Sequence, residues 1–170
     1  IALPLAKFWV CKRTPMHVAE ALECLGGNGY VEESGMPLLY REAPLNSVWE
    51  GSGNVNALDV LRALSREPEV LEAWITEVGR ARGEDPRLDR AIDAVLEMLA
   101  DTSALEVGAR RLAGLMATCL QAALLVQHAP PAVADSFCAG RFSDSPAVFG
   151  TLPRGLDLRA ILERATPTVG

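Results

Sequence analysis

Apolar residues recur with helical spacing along most of this chain, and one long segment, from Leu25 to Asp59, interrupts the pattern. Apolar side chains three or four positions apart form a single stripe on an α-helix. The interrupting segment instead contains both tyrosines, several glycines and two prolines, and Gly and Pro are the residues that most often break helices. The pattern therefore predicts an all-α fold, an antiparallel helical bundle with one long loop after the first helix.

Helix ends are predicted from the capping residues that flank each apolar stripe. Gly26 and Gly27 are expected to end the first helix, which Pro15 is expected to disturb. Ser52 or Asn54 is expected to cap the helix that follows the loop. The predicted helices cover residues 4–25, 55–65, 69–82, 86–99, 101–128, 132–142 and 158–164. Residues 30–47 are expected to be loop or short helical turns, and residues 38–41 are a candidate for one such turn.

The composition is that of one globular domain. Of the 170 residues, 49% are hydrophobic and 22% are charged, which excludes a disordered chain. No apolar run reaches the roughly 18 residues that a membrane span needs, and the N-terminus lacks the pattern of a signal peptide. We therefore expect a soluble, cytoplasmic protein. Because the first residue is Ile1 and not Met, and the chain opens almost directly into a helical pattern, we also expect it to be part of a longer protein.

The cysteines and histidines do not have the spacing of a metal site. The four cysteines lie far apart on apolar helical stretches, and His17 and His128 are more than a hundred positions apart. Zinc sites normally place cysteine or histidine ligands in close pairs. We therefore expect no metal, and we expect the cysteines to be small buried thiols in a reducing compartment.

The net charge of −6 is concentrated in the middle of the chain. Residues 67–128 carry eleven acidic and six basic side chains, whereas residues 129–170 carry four of each. An acidic surface repels phosphate backbones. The charge distribution therefore disfavours DNA as a partner, although it does not exclude local basic patches.

Two motifs within the interrupting segment are candidates for function. The first, residues 25–30, reads LGGNGY. It is equally well explained as a helix C-cap followed by a turn, or as a backbone without side chains that a large polar ligand can approach closely. The residues alone leave both interpretations open.

The second motif, residues 49–54, reads WEGSGN. Glu50 follows the bulky Val48 and Trp49, and shielding from water would raise the pKa of its carboxylate and make it a better base. The helix start after Asn54 would favour a phosphate or an oxyanion, and its dipole would lower the same pKa. A simple solvated loop with a helix cap remains the alternative.

The order and spacing of the motifs resemble the C-terminal helical domain of acyl-CoA dehydrogenases. That flavoprotein family shows Q-I-x-G-G-x-G-Y, then R-D-A, then Y-E-G-T-x-x-x-Q, and this chain reads EALECLGGNGY, then YREAP, then SVWEGSGN. Three stretches resemble most the AidB-like branch of the family, the adaptive-response flavoproteins. They are WEGSGN, the VCKR of residues 10–13 and the tail FGTLPRGLDLRAILERA.

The resemblance implies a catalytic role for Glu50. Glu50 matches the base that removes the α-proton of an acyl-CoA while the β-hydrogen leaves as hydride to the flavin of FAD. Its own backbone N–H would help to polarise the thioester carbonyl. Glu50 and Gly51 are therefore the expected substrate-binding residues.

The resemblance also implies a set of cofactor-binding residues. Gly26 and Gly27 match the turn that lies against the FAD of a neighbouring subunit, and Ser52 and Asn54 match positions that hydrogen-bond the cofactor. Glu23 stands where the family has glutamine, and its negative charge is unfavourable beside a pyrophosphate. Asn54 is shorter than the usual glutamine.

The leading hypothesis is thus the C-terminal domain of an FAD-dependent oxidoreductase acting on an acyl-CoA thioester. Residues 1–66 would carry the motifs, and residues 67–170 would add further bundle helices and a tail. The resemblance implies a homo-oligomer, either a dimer or a tetramer, and we expect the isolated chain to be inactive and to lack FAD. Two alternatives stay open, an AidB-like DNA-associated protective flavoprotein with vestigial catalysis and a module that serves oligomerisation.

Overall fold

The structure, a computed structural model, describes residues 1–142 and 149–167 and contains no β-strand within them. The all-α prediction is confirmed. Two 3-10 turns, Glu32–Ser34 and Ala43–Ser47, flank the third helix. The helices of the described residues are α1 (Ala2–Cys24), α2 (Gly27–Tyr30), α3 (Met36–Glu42), α4 (Gly53–Arg66), α5 (Pro68–Gly79), α6 (Pro86–Ala100), α7 (Leu105–His128), α8 (Pro131–Arg141) and α9 (Leu158–Ala165).

Each helix predicted from the apolar spacing is present, and only its ends differ. The largest shift is at α7, which begins at Leu105 although Asp101 was the predicted start. Asp101 instead forms a turn, because its side chain accepts hydrogen bonds from the hydroxyl of Ser103 at 2.6 Å and from the backbone N–H of Ser103 at 3.2 Å. Short polar side chains compete with helical backbone bonds in this way.

The segment between α1 and α4 is a series of short helical turns, so the predicted long loop is largely helical. Gly35 has φ of 75°, a left-handed conformation that glycine adopts at little cost, and it separates the first 3-10 turn from α3. Pro37 lies in the first turn of α3 and Pro44 in the first turn of the second 3-10 turn. Proline is tolerated in a first turn because no N–H bond is lost there.

Pro15 lies inside α1, which continues through it. Proline has no N–H, so the carbonyl of Cys11, four residues earlier, loses its usual helical donor. The hydroxyl of Ser47 donates to that carbonyl at 3.0 Å. The proline that was expected to disturb the helix therefore creates an acceptor for the segment that precedes α4.

Helix α7 is the centre of the bundle and packs against α1, α4, α5, α6 and α8. Its buried face includes Leu112 and Met116, and the indole N–H of Trp74 donates to the carbonyl of Met116 at 3.3 Å. By length and composition α7 is apolar enough to cross a membrane, but half of its most apolar 18-residue window is buried inside the bundle. A core helix of this kind satisfies the same criteria as a membrane span.

The cysteines differ in burial. Cys119 and Cys138 are fully buried, and burial raises the pKa of each thiol to about 12. Cys11 is partly buried and Cys24 is exposed. The prediction that all four are buried is therefore wrong for Cys24, which lies at the exposed C-terminal end of α1.

Candidate cofactor and active site

Glu50 lies in the turn that leads into α4, and its backbone conformation is unusual. Its φ is 54°, the only positive φ of a non-glycine residue in the described part of the chain, and Gly51 follows with φ of 101°. A residue with a Cβ pays a steric penalty of about 1–2 kcal/mol in the left-handed region. Conformations of this kind persist where the surroundings enforce them, and they are frequent at functional sites.

Helix α1 holds the segment before Glu50 in place. The ammonium group of Lys7 donates to the carbonyls of Asn46, at 2.6 Å, and Trp49, at 3.1 Å. The bond from Ser47 to the carbonyl of Cys11 adds a third link to the same helix. The main chain immediately before Glu50 is thus fixed to α1 rather than free in solvent.

Asn56 fixes the segment from the other side. It is buried in the first turns of α4, and its amide donates to the carbonyls of Gly51, at 2.7 Å, and Ser52, at 3.0 Å. Both acceptors belong to the strained turn itself. Asn56 therefore supplies part of the force that keeps Glu50 and Gly51 in the left-handed region.

Glu50 is not shielded from water by its neighbours. Val48 is 69% exposed, Trp49 is 57% exposed, and Glu50 is exposed as well. The expectation that the bulky flanking residues keep Glu50 dry is wrong for this chain by itself, because both side chains face solvent. Any drying of the carboxylate requires a further surface to cover it.

An open groove of about 490 Å³ begins at Glu50 and runs between α1 and α4. Ligand pockets typically have volumes of roughly 300–1,000 Å³. The groove lining carries equal numbers of basic and acidic side chains, which are Lys7, Arg62 and Arg66 against Glu50, Asp59 and Glu67, and Asp59 pairs with Arg62. The groove therefore offers both apolar walls and cationic groups to a ligand that reaches Glu50.

The start of α4 has free hydrogen-bond donors. Ser52 occupies the N-cap position, as predicted, but its hydroxyl does not cap the helix. Among the described residues, the first-turn N–H groups of Gly53, Asn54 and Val55 donate to no acceptor. These N–H groups and the helix dipole attract anions.

Lys12 lies directly over this helix start. A Cβ added to Gly53 would come within 2.6 Å of Cε and 3.4 Å of Nζ of Lys12, so the missing side chain at Gly53 leaves room for the lysine. A cation at the positive end of a helix dipole is unfavourable by itself. The donors and the lysine together fit an anionic group such as the pyrophosphate of a dinucleotide.

The LGGNGY motif lies elsewhere on the surface. Gly26 and Gly27 follow the C-terminal end of α1, about 20 Å along the helix axis from Lys12 at 1.5 Å per residue. Both are exposed, and an added Cβ would meet nothing within 4 Å at either position. Glu23 is also exposed and lines a second groove of about 450 Å³. The structure thus brings Glu50 to Asn54 together and leaves Glu23, Gly26 and Gly27 apart from them.

Comparison with known proteins gives the family. Residues 1–65 match the family model described as "Acyl-CoA dehydrogenase, C-terminal domain". The chain is 42% identical over 135 residues to AidB of Escherichia coli (strain K12), an alignment that covers 79% of the chain and 25% of AidB. The chain belongs to the acyl-CoA dehydrogenase family. Both candidate motifs lie within the matched region.

Other family members extend the similarity beyond residue 65. Acyl-CoA dehydrogenase family member 11 of Caenorhabditis elegans is 34% identical over 145 residues, covering 74% of the chain and 24% of that protein. The crystal structure of Caenorhabditis elegans ACDH-11 in complex with C11-CoA superposes with a TM-score of 0.68 at 30% identity, covering 84% of the chain and 29% of that structure. The chain spans about a quarter of the length of the curated relatives it matches.

Three residues of the candidate site were not predicted from the sequence. Lys7 and Lys12 both lie on α1 and reach the site only through the tertiary fold: Lys7 contacts the segment before Glu50, and Lys12 lies over the start of α4. Asn56 contacts the turn from a position several residues further along the chain. Lys12 belongs to the VCKR stretch that contributed to the family resemblance. The other two had no signal beyond their residue type.

Proposed function

We propose that the chain forms the C-terminal domain of an FAD-dependent, acyl-CoA dehydrogenase-like oxidoreductase in which Glu50 removes the α-proton of an acyl-CoA thioester. The observation that carries the proposal is the enforced left-handed turn at Glu50, which places a carboxylate between an open groove and a helix start with free donors. The family membership supports the reaction class.

The residues of the turn match the needs of proton abstraction next to a thioester. An α-proton is weakly acidic, so a positioned base must act together with polarisation of the carbonyl. The backbone N–H groups of Glu50 and Gly51 donate to no acceptor among the described residues and are available to the thioester oxygen. FAD, when bound, would accept the β-hydrogen as hydride.

The start of α4 would hold an anionic part of the cofactor. The free N–H groups of its first turn, the hydroxyl of Ser52, the amide of Asn54 and the ammonium group of Lys12 supply donors and positive charge there. We assign Glu23, Gly26 and Gly27 to a second contact with FAD, that of a neighbouring subunit. Gly26 and Gly27 lie about 20 Å along the axis of α1 from Lys12 at 1.5 Å per residue, which supports a contact distinct from that at the start of α4.

Substitution of Glu50 by Gln tests the catalytic role in a protein of the relatives' full length. We expect E50Q to retain its flavin absorbance, while bleaching of the flavin by butyryl-CoA or a longer acyl-CoA slows by about 100-fold or more, the usual scale for loss of a general base. The matched control is E42Q, which alters an exposed glutamate of α3. Equal bleaching rates in E50Q and E42Q would remove Glu50 from the mechanism.

A second candidate function, self-association, is favoured by exposed apolar residues between α2 and α4. Tyr30 is 80% exposed and Leu39 is 56% exposed, in addition to Val48 and Trp49. Clusters of exposed apolar side chains commonly mark interfaces. Light scattering should give a dimer or tetramer for the chain and a smaller species for L39D. A clean monomer at high micromolar concentration would contradict this role.

A further inference from the structure

Lys7 places a positive charge on the peptide group that carries the amide of Glu50. Its ammonium group donates to the carbonyl of Trp49 at 3.1 Å, in addition to that of Asn46 at 2.6 Å. The carbonyl of Trp49 and the N–H of Glu50 belong to one planar peptide group, and they point in opposite directions because the bond is trans. The lysine therefore binds one end of a dipole whose other end is the N–H of Glu50.

The charge of Lys7 acts on backbone carbonyls and not on a carboxylate. None of the ion pairs within residues 1–142 and 149–167 includes Lys7. Its neighbours on α1, Leu5 and Phe8, are buried in the core, and Lys7 itself is partly buried. Partial shielding from water strengthens the interaction of a charge with a dipole. The polarisation of the two carbonyls is therefore not offset by an anion in the described part of the chain.

The N–H at the other end of this peptide group is free. The backbone N–H of Glu50 donates to no acceptor among the described residues, and the left-handed turn at Glu50 and Gly51 fixes its direction. Hydrogen bonds in series polarise one another, so an N–H becomes a stronger donor when the carbonyl of its own peptide group accepts a bond. A bond from a cation has the larger effect, because charge-assisted hydrogen bonds are the stronger kind.

We propose that Lys7 is a positioning residue of the dehydrogenase reaction, which strengthens the Glu50 N–H as a donor to the thioester oxygen. The inference rests on the proposed function, from which it takes the binding of an acyl-CoA thioester at Glu50. As the α-proton passes to the Glu50 carboxylate, the electron pair of the C–H bond shifts toward the thioester oxygen. The polarised N–H stabilises this developing charge more than it stabilises the neutral carbonyl. Lys7 should therefore affect kcat and leave KM nearly unchanged.

A purely mechanical tether is the alternative role, because Lys7 also ties the segment before Glu50 to α1. Ser47 provides the comparison. Its hydroxyl ties the same segment to the carbonyl of Cys11 at 3.0 Å, without a charge and through a different carbonyl. If Lys7 were only a tether, K7M and S47A would change the amide of Glu50 in the same way. If Lys7 polarises the peptide group, K7M has the larger effect.

The first test uses the ¹⁵N-labelled chain and measures the backbone amide resonance of Glu50. We expect its ¹H and ¹⁵N shifts to move upfield in K7M, because the N–H becomes a weaker donor, and to return in K7R, which retains the charge. R159Q is the charge control, since it removes an exposed arginine of α9 that pairs with Glu163, and it should not move the resonance. Equal shifts in K7M and S47A would overturn the proposal.

The second test measures flavin bleaching by butyryl-CoA in a protein of the relatives' full length. Polarisation by one further bond adds about 10–30% to the strength of a hydrogen bond, which in a dry site corresponds to a rate factor of about 2 to 20. K7M should lower the maximal bleaching rate by that factor at an unchanged half-saturating concentration, and K7R should recover most of it. K7Q, which keeps a neutral donor, decides the case if K7M does not fold; equal maximal rates in K7Q and K7R would contradict the proposal.

The outcomes separate this inference from the proposed function. If E50Q slows bleaching while K7M and K7Q bleach at the full rate, Glu50 is the base and Lys7 only ties the turn, so this inference alone is overturned. If E50Q bleaches at the full rate, the proposed function fails and the inference fails with it. A higher half-saturating concentration in K7M at an unchanged maximal rate would place Lys7 in substrate binding instead.

Discussion

Gly29, in the LGGNGY motif, should be needed for packing, so its substitution by Ala should destabilise the fold. Comparison of G29A with G27A should show which glycine of the motif is needed for stability and which is available for binding. A Cβ at Gly29 would lie less than 3.0 Å from the carbonyl oxygen of Leu22, 3.1 Å from its carbonyl carbon and 3.2 Å from Cβ of Leu25. Two of these atoms belong to the backbone of α1, which cannot move aside as a flexible side chain can. Helix α2 would have to shift away from the end of α1.

The expected cost follows from that contact. Overpacking of a well-packed contact typically costs about 1–3 kcal/mol, and 1 kcal/mol lowers the melting temperature by about 2–4 °C in a domain of this size. Gly27 is the matched control, because a Cβ there would meet nothing within 4 Å and its φ is not positive. G27A should change the free energy of unfolding by less than about 0.5 kcal/mol.

Urea unfolding and thermal melts of the two variants, followed by circular dichroism, measure the difference. If G29A unfolds at the same urea concentration as G27A, the contact between α2 and α1 does not limit stability and the reasoning is refuted. In the proposed longer flavoprotein, G27A should have the larger effect on the amount of bound flavin, whereas G29A has the larger effect on stability. G27A, on the exposed surface assigned to FAD, should lose flavin although it keeps its stability.

Three further predictions concern stability. N56A should lower the free energy of unfolding by about 1–3 kcal/mol in urea melts, because two carbonyls of the turn lose a buried donor; an unchanged stability would show that Asn56 does not hold the turn. E50G should be more stable than E50A by up to about 1–2 kcal/mol in the same melts, because glycine relieves the strain at φ 54°, and equal values would argue against strain. Asp85 caps α6 and accepts hydrogen bonds from Arg87, and the interaction with Arg87 lowers the pKa of the Asp85 carboxylate. The stability that Asp85 adds to the fold is therefore present above the ordinary pKa of an aspartate and is lost as the pH falls through the lower pKa of the folded state. D85N should therefore be less stable than the unsubstituted chain at pH 7, by up to about 1 kcal/mol, because Asn caps a helix as well as Asp does but lacks the charge that pairs with Arg87. The difference should shrink as the pH falls below the ordinary pKa of an aspartate, and a difference that does not change with pH would contradict this.

The helices could be predicted because local signals define them. Apolar spacing and flanking Gly or Pro gave α4 to α9 to within a few residues, and the proline at the first turn of α5 was read directly. The short helices before α4 could not be predicted in the same way. Each has fewer than eight residues, too few for a periodic pattern, and their order depends on tertiary contacts with α1 such as those of Lys7.

The candidate site was predicted only where its residues are adjacent in sequence. Glu50, Gly51, Ser52 and Asn54 were identified from one motif and its family resemblance. The left-handed φ of Glu50 and the position of Lys12 over Gly53 depend on how α1 crosses the start of α4, and no local pattern encodes that crossing. The expected shielding of Glu50 failed for the same reason, since burial is a property of the assembled surface.

Pro15 has a consequence for engineering this protein. A proline inside a helix costs roughly 3 kcal/mol or more, so P15A is the first substitution that a search for thermostability would select. It would also give the carbonyl of Cys11 a helical N–H donor, in competition with the hydroxyl of Ser47. The hydrogen bond from Ser47 that ties α1 to the segment before Glu50 would then be weakened. The variant with the higher melting temperature would therefore hold the Glu50 carboxylate less firmly in position.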